Sequence, residues 1–153
     1  MTDTPITPAP RLNDWHVDHL RRYLASNGAD GHVWTSPRPE APNPVTILLL
    51  TTTGRRSGKP FTFPLIYGAY GNSFVIVASK GGAAEHPGWY LNLHANPAVE
   101  VQVLARRFKA RARTAAGEER AKLWKQMADF FPPYVEYKEK TGREIPVVVL
   151  DPQ

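Results

Sequence analysis

The sequence predicts an α+β chain, mainly β, centred on a small barrel of about six antiparallel strands. Three observations predict it. Short β-rich runs follow one another with turn residues between them. Neighbouring runs lie close enough along the chain to pair with each other. Helical periodicity is confined to the start, one crossover and a stretch near the end. An open sheet of this kind exposes two edges, and closure into a barrel removes them.

Residues 1–10 are rich in proline and threonine and are read as disordered. Asn13 is the expected N-cap of a helix of about a dozen residues. Val17, Leu20 and Leu24 fall at i, i+3 and i+7 of that helix, Trp15 and Tyr23 widen the face, and Asn27-Gly28 stops it. Residues 36–44, with prolines at 37, 39, 42 and 44, form an irregular linker. Residues 45–53 read as a buried strand, 61–67 as a second, and 54–59 as their connection. Gly71-Asn72 marks a turn before a third strand over 74–79. Val99, Val101 and Val103 alternate with Glu100 and Gln102 in a fourth strand, and Phe108, Ala110 and Ala112 alternate with cations in a fifth over 107–113.

Between the third and fourth strands, residues 80–97 are expected to form a loop leading into a short helix. An amphipathic helix is expected over 118–131, with Leu123, Met127 and Phe131 on one face beside Trp124. Pro132-Pro133 ends it, and Pro133 can occupy the first position of a new short helix. Residues 145–150 make a last apolar strand. The expected division is 1–44 for the tail, helix and linker, and 45–153 for the barrel, as one globular domain.

Composition narrows the function classes. The chain has 153 residues and a hydrophobic fraction of 42%, enough to bury a core. It has no cysteine, which excludes disulfides, thiol nucleophiles and thiolate metal sites. No apolar run reaches the length that spans a bilayer, and Met1-Thr2-Asp3-Thr4-Pro5 does not read as a signal peptide, so a cytoplasmic location is expected. Net charge is +5, which favours anionic partners without choosing among them.

Four segments are candidates for chemistry. Gly54-Arg55-Arg56-Ser57-Gly58-Lys59-Pro60 follows a β-rich run and brings three cations, a hydroxyl and backbone amides to one small volume. That suits an anion such as a phosphate. It is not a Walker A loop, because three residues rather than four separate the glycines and no helix pattern follows. Its local sequence equally fits an exposed, solvated hairpin. Ala78-Ser79-Lys80-Gly81-Gly82 again ends a strand in a hydroxyl, a cation and glycines that permit close approach of a ligand, although an ordinary strand-to-helix turn has the same composition. Trp89 and Tyr90 offer flat faces for a heteroaromatic ring, whereas Leu91 and Leu93 read as core. Tyr134 and Tyr137 fall on one face of a short helix, where their hydroxyls suit either a substrate or solvent.

Other constellations are weaker. His16 and His19 lie at i, i+3 with no third ligand nearby, so they read as surface or core histidines, and no metal site is expected. Arg106, Arg107, Lys109, Arg111 and Arg113 make a basic strand that reads as a solvated face. The aromatics cluster in helical segments rather than on a sheet, which argues against nucleic acid.

Taken together, these segments resemble the deazaflavin-dependent nitroreductase family of actinobacteria, whose members use coenzyme F420. The similarity runs from residue 45 to 152. It rests on Leu49-Leu50-Thr51-Thr52-Thr53 with the basic turn, on Ala78-Ser79-Lys80-Gly81-Gly82, and on Trp89-Tyr90-Leu91-Asn92-Leu93 with Ala95-Asn96-Pro97. Glu118-Glu119-Arg120 with Trp124, then Tyr134, Tyr137 and Ile145-Pro146-Val147, complete it.

The resemblance implies a split β-barrel akin to those of pyridoxamine-phosphate oxidases. It implies that Arg55, Arg56, Ser57, Gly58, Lys59 and Pro60, with Lys80, hold the anionic part of F420, and that Gly81 also binds the cofactor. Val77, Ala78, Ser79, Trp89, Tyr90 and Asn92 would border its ring and linker. Ser79, Tyr134 and Tyr137 would face the substrate. The implied reaction is hydride transfer from reduced F420 to a quinone, an α,β-unsaturated carbonyl compound or a nitro compound. The alternatives are a non-catalytic F420 carrier and an FMN enzyme of the same fold. Phe131 stands where a nitro-drug-reducing relative has tyrosine, which argues against that activity. A lipid quinone acceptor would bring peripheral contact with the inner membrane face, and oligomeric state is left open.

Overall fold

The computed structural model describes residues 6–8 and 12–153. Its strands are β1 (Val33–Trp34), β2 (Val45–Thr53), β3 (Pro60–Tyr70), β4 (Ser73–Val77), β5 (Ala98–Val103), β6 (Arg106–Thr114) and β7 (Val147–Pro152). Its helices are α1 (Asp14–Ala25), α2 (Gly88–Ala95), α3 (Gly117–Phe130) and α4 (Pro133–Lys140), with a single 3₁₀ turn over Lys80–Gly82. The strands run β1-β2-β3-β4-β7-β6-β5, and β2 also pairs with β5. Six strands therefore close into the expected antiparallel barrel, and the short β1 is added outside β2.

β2 reads as a continuous apolar run because both of its faces are covered. Leu48 and Leu50 enter the barrel with Ile76, Val99, Val101, Val148 and Leu150. Ile47 and Leu49 face outward under Leu20 and Tyr23 of α1. The outer faces of β4 and β7 supply Val75, Val77, Val147 and Val149, which Leu123 and Met127 of α3 cover. α2 lies over one mouth of the barrel and sends Trp89, Tyr90 and Leu93 into the interior cluster.

The barrel is split on one side. β3 pairs with β2 from Pro60 to Tyr67, but with β4 only at Gly68, Ala69 and Tyr70. β4 turns instead to β7, from Phe74 to Val77. The Pro60 half of β3 therefore has an edge that β4 leaves uncovered. The Thr62 amide donates to the carbonyl of Thr7 at 2.7 Å, so it points away from β2. Alternation along the ladder turns Pro64 and Ile66 the same way. A proline is tolerated there because a proline in a sheet needs an edge. The barrel register also brings the 54–59 connection and the end of β4 to the same mouth.

Several boundaries differ from expectation. β4 stops at Val77, because the chain enters left-handed conformations at Lys80 (φ 46°), Gly81 and Gly82. The tail is ordered where it is described: Thr7 and Pro8 pair with Thr62, and Ile6 packs near Leu20. The remainder of the expected disorder lies outside the described residues. Asn13 caps α1 as expected, its side chain accepting from the His16 amide at 2.8 Å. The buried face of α1, however, is His19, Leu20 and Tyr23, while Val17 is 39% exposed. Tyr23 decides this orientation. Its hydroxyl donates to the Ile47 carbonyl and accepts from the Leu104 amide at 2.8 Å. That approach also requires Gly28, where a Cβ would stand 2.5 Å from the Leu104 Cα.

Candidate active site

The split opens into a cleft of about 920 Å³. One wall is the half of β3 that β4 leaves uncovered, contributed by Phe61, Phe63, Pro64, Leu65 and Ile66. The facing side holds Val77, Ser79, Lys80 and Gly81. The 54–57 segment and α2, through Trp89 and Asn92, also line the cleft, as do Phe131, Tyr134 and Tyr137 from the late helices. The sequence candidates Arg55, Arg56, Ser57, Val77, Ser79, Lys80, Gly81, Trp89, Asn92, Tyr134 and Tyr137 thus share one cleft. Gly58, Lys59 and Pro60 lie outside its lining. Ala78 and Tyr90 sit in the barrel interior, where the Tyr90 hydroxyl meets Thr114 Oγ1 at 2.9 Å.

The basic turn is anchored rather than loose. Asn92 Oδ1 accepts from the Arg55 amide at 3.1 Å and from its guanidinium at 2.8 Å, and Asn92 Nδ2 donates to Thr52 Oγ1 at 3.2 Å. One buried amide therefore ties α2, the end of β2 and the turn together. Neither Arg55 nor Arg56 has a carboxylate partner among the described residues, so their charge is available to a ligand. Lys80 is different, because it pairs with Glu85 at 2.9 Å. An anion would have to compete for it.

At the late helices the site is aromatic. Phe131 and Tyr134 meet edge-on with ring centres 5.1 Å apart, and Tyr134 and Tyr137 do so at 6.3 Å. Trp34 contacts Phe131 at 6.2 Å and Trp15 at 5.4 Å, which extends the wall to α1. Tyr134 is 4% exposed, and its hydroxyl has no hydrogen-bond partner among the described residues. Burial, together with Tyr137, pushes its pKa well above the ordinary tyrosine value, so the hydroxyl keeps its proton. The Ser79 hydroxyl is likewise without a protein partner among the described residues, at the entrance to the left-handed turn. Gly82 is needed in that turn. Its φ is 81°, and an added Cβ would stand 3.1 Å from both the Cα and the carbonyl of Tyr137.

Other lining residues are absent from the sequence reading. Phe61, Phe63 and Leu65 look like ordinary strand residues, and only Pro64 among them signals an open edge. His16, His19, Trp15 and Trp34 enter because α1 and β1 pack against the barrel. His19 is a core residue whose Nε2–H donates to the Gly31 carbonyl at 2.8 Å. Arg143 does not line the cleft but holds residues that do, and it is the largest omission. It donates to the carbonyls of Ala78, Ser79 and Ala83 and to His86 Nδ1.

An antiparallel barrel opened along one side, with a cleft lined by cations, aromatics and free hydroxyls, defines a split-barrel protein with a ligand-sized site. A family model described as F420H(2)-dependent quinone reductase matches residues 15–152, and the chain belongs to that family of F420-dependent oxidoreductases. It is 40% identical over 135 residues to an F420H(2)-dependent quinone reductase of Mycobacterium tuberculosis, covering 86% of each chain. A solved F420-H2 dependent reductase, FDR-A, superposes with a TM-score of 0.64 at 44% identity, over 69% of this chain and 93% of that one. A second solved structure, described as a domain-swapped dimer, matches with a TM-score of 0.67 at 40% identity, over 90% of this chain and 98% of that one.

The residues present fit F420. The cleft has room for a flat ring, carries guanidinium groups that have no carboxylate partner among the described residues and so suit an acidic tail, and is mainly apolar along β3.

Proposed function

We propose that this chain binds reduced F420 in the split of its barrel and passes hydride to a quinone held under Phe131, Tyr134 and Tyr137. The observation that carries this reading is the continuity of the cleft. One volume joins the guanidinium groups of Arg55 and Arg56 to the free hydroxyls of Ser79 and Tyr134. When bound, reduced F420 supplies a hydride, the electron pair a quinone accepts. The protein supplies position and polarisation. Arg55, fixed by Asn92, and Arg56 meet the phosphate and acidic tail. Val77, Trp89 and the β3 edge hold the ring. Negative charge builds on a quinone oxygen during transfer, and the Tyr134 hydroxyl or that of Ser79 donates a hydrogen bond to it. Phe131 has no hydroxyl to add, which fits a flat quinone better than a nitro group. Peripheral membrane contact belongs to this reading only if the acceptor is a lipid quinone.

Steady-state oxidation of reduced F420 against a panel of quinones, enones and nitro compounds tests the reading, alongside titrations with F420 and FMN. The expected outcome is binding of F420 in preference to FMN and turnover with quinones. Tight F420 binding without turnover on any acceptor would indicate a carrier.

A further inference from the structure

Arg143, in the segment between α4 and β7, makes four hydrogen bonds in the region between β4 and α2. It donates to the carbonyls of Ser79 at 2.9 Å, Ala83 at 3.0 Å and Ala78 at 3.2 Å. These bonds bracket the left-handed turn at Lys80, Gly81 and Gly82, a conformation that persists only where its surroundings enforce it. Its fourth bond reaches His86 Nδ1 at 3.1 Å. A guanidinium is a donor only, so Nδ1 must accept. The ring hydrogen of His86 therefore sits on Nε2. His86 lines the cleft beside Trp89, and its Nε2 has no protein partner among the described residues.

We propose that Arg143 fixes His86 as a neutral Nε2–H donor that binds an acceptor oxygen of the cofactor, either a ring carbonyl or the phosphate. His86 is the binding residue in this scheme, and Arg143 is the positioning residue. The proposal rests on the F420 reading above. The charged and titratable groups packed against His86 agree with it. Arg143 contacts it through Nδ1, the Tyr90 ring centre of α2 lies 5.0 Å away, and His94 of α2 is near enough to act on it electrostatically. Burial, then Arg143 and His94, hold its pKa below the usual imidazole range, so the donor persists near neutral pH.

The test combines fluorescence titration of F420 with ¹⁵N spectra of the labelled full chain. In the free protein the His86 signals should show the Nε2–H tautomer, and Arg143→Gln should mix the two tautomers. Saturating F420 should shift the Nε2 proton. His86→Ala should weaken F420 about tenfold, and His86→Gln, which keeps a donor, should recover most of that loss. The phosphate-free deazaflavin nucleoside separates the two sources. An equal loss with it assigns the ring carbonyl, and an undiminished affinity assigns the phosphate. An Nδ1–H tautomer in the free wild type, or wild-type F420 affinity in His86→Ala, would overturn the proposal. If the wild type fails to bind F420, the cofactor reading falls instead, while the tautomer spectra still judge the Arg143–His86 lock.

Discussion

Tyr134 and Tyr137 show how one side-chain type acquires two positions. Both lie on α4, three residues apart. Tyr134 is buried with a free hydroxyl, while Tyr137 carries the Arg38 guanidinium 5.4 Å from its ring centre. Tyr134 is thus the better candidate to polarise an acceptor. Tyr134→Phe is expected to lower kcat for quinone by at least about tenfold while leaving F420 affinity unchanged, as read by kinetics and fluorescence titration. Unaltered kcat would remove Tyr134 from that role. The aromatic residues and the hydroxyl on Ser79 were legible as candidates from residue type and spacing. Arg143 was not, because nothing in its local sequence marks the three carbonyls and the imidazole that it meets across the fold.

Individual elements were legible where periodicity and stop signals agreed. α3 is bounded almost as its pattern predicts, with Leu123 and Met127 fully buried. α4 starts at Pro133, whose missing amide costs nothing in the first turn. Of the face expected for α1, Leu20, Tyr23 and Leu24 pack on the core whereas Val17 and Trp15 are exposed, because a helix of mixed polarity offers more than one apolar stripe and the Tyr23 hydroxyl selects among them. The 80–82 turn and α4 form a further coupled pair, joined through Gly82 and Tyr137. Gly82→Ala must place a Cβ at positive φ against backbone. It is expected to cost about 1–2 kcal/mol in thermal or denaturant unfolding and to weaken the active site with it. A fully stable, fully active variant would show that this close approach is dispensable. The basic strand β6 is also more than a solvated face: Arg113 pairs with Asp151 of β7 and with Glu119 of α3, linking three elements at the barrel surface.

Across the whole molecule, charge and protonation give two further expectations. Neutralising Arg55, Arg56 and Lys59 together should weaken F420 most for long-tailed forms and flatten the salt dependence of binding. Equal affinity for every tail length would place the tail elsewhere. His16, His32 and His86 are all held below the usual imidazole pKa, mainly by burial. Between the ordinary value of about 6.5 and those lower values, the unfolded chain binds protons that the native chain does not. Stability is therefore expected to fall as pH falls through that window, giving a lower calorimetric Tm at about pH 5.5 than at about pH 7.5. A Tm that rises on acidification would contradict the assignment. Among the described residues no helix is long and apolar enough to cross a membrane. The sequence by itself determined the barrel class, the order of its strands along the chain and the candidate segments for chemistry, because these depend on local periodicity and turn residues. Only the tertiary structure decided where the barrel opens, which candidates face that opening and which buried groups lock them in place. Those outcomes depend on contacts between distant segments, such as β3 leaving β4 after three pairs and Arg143 reaching back to Ser79, and local pattern does not encode them.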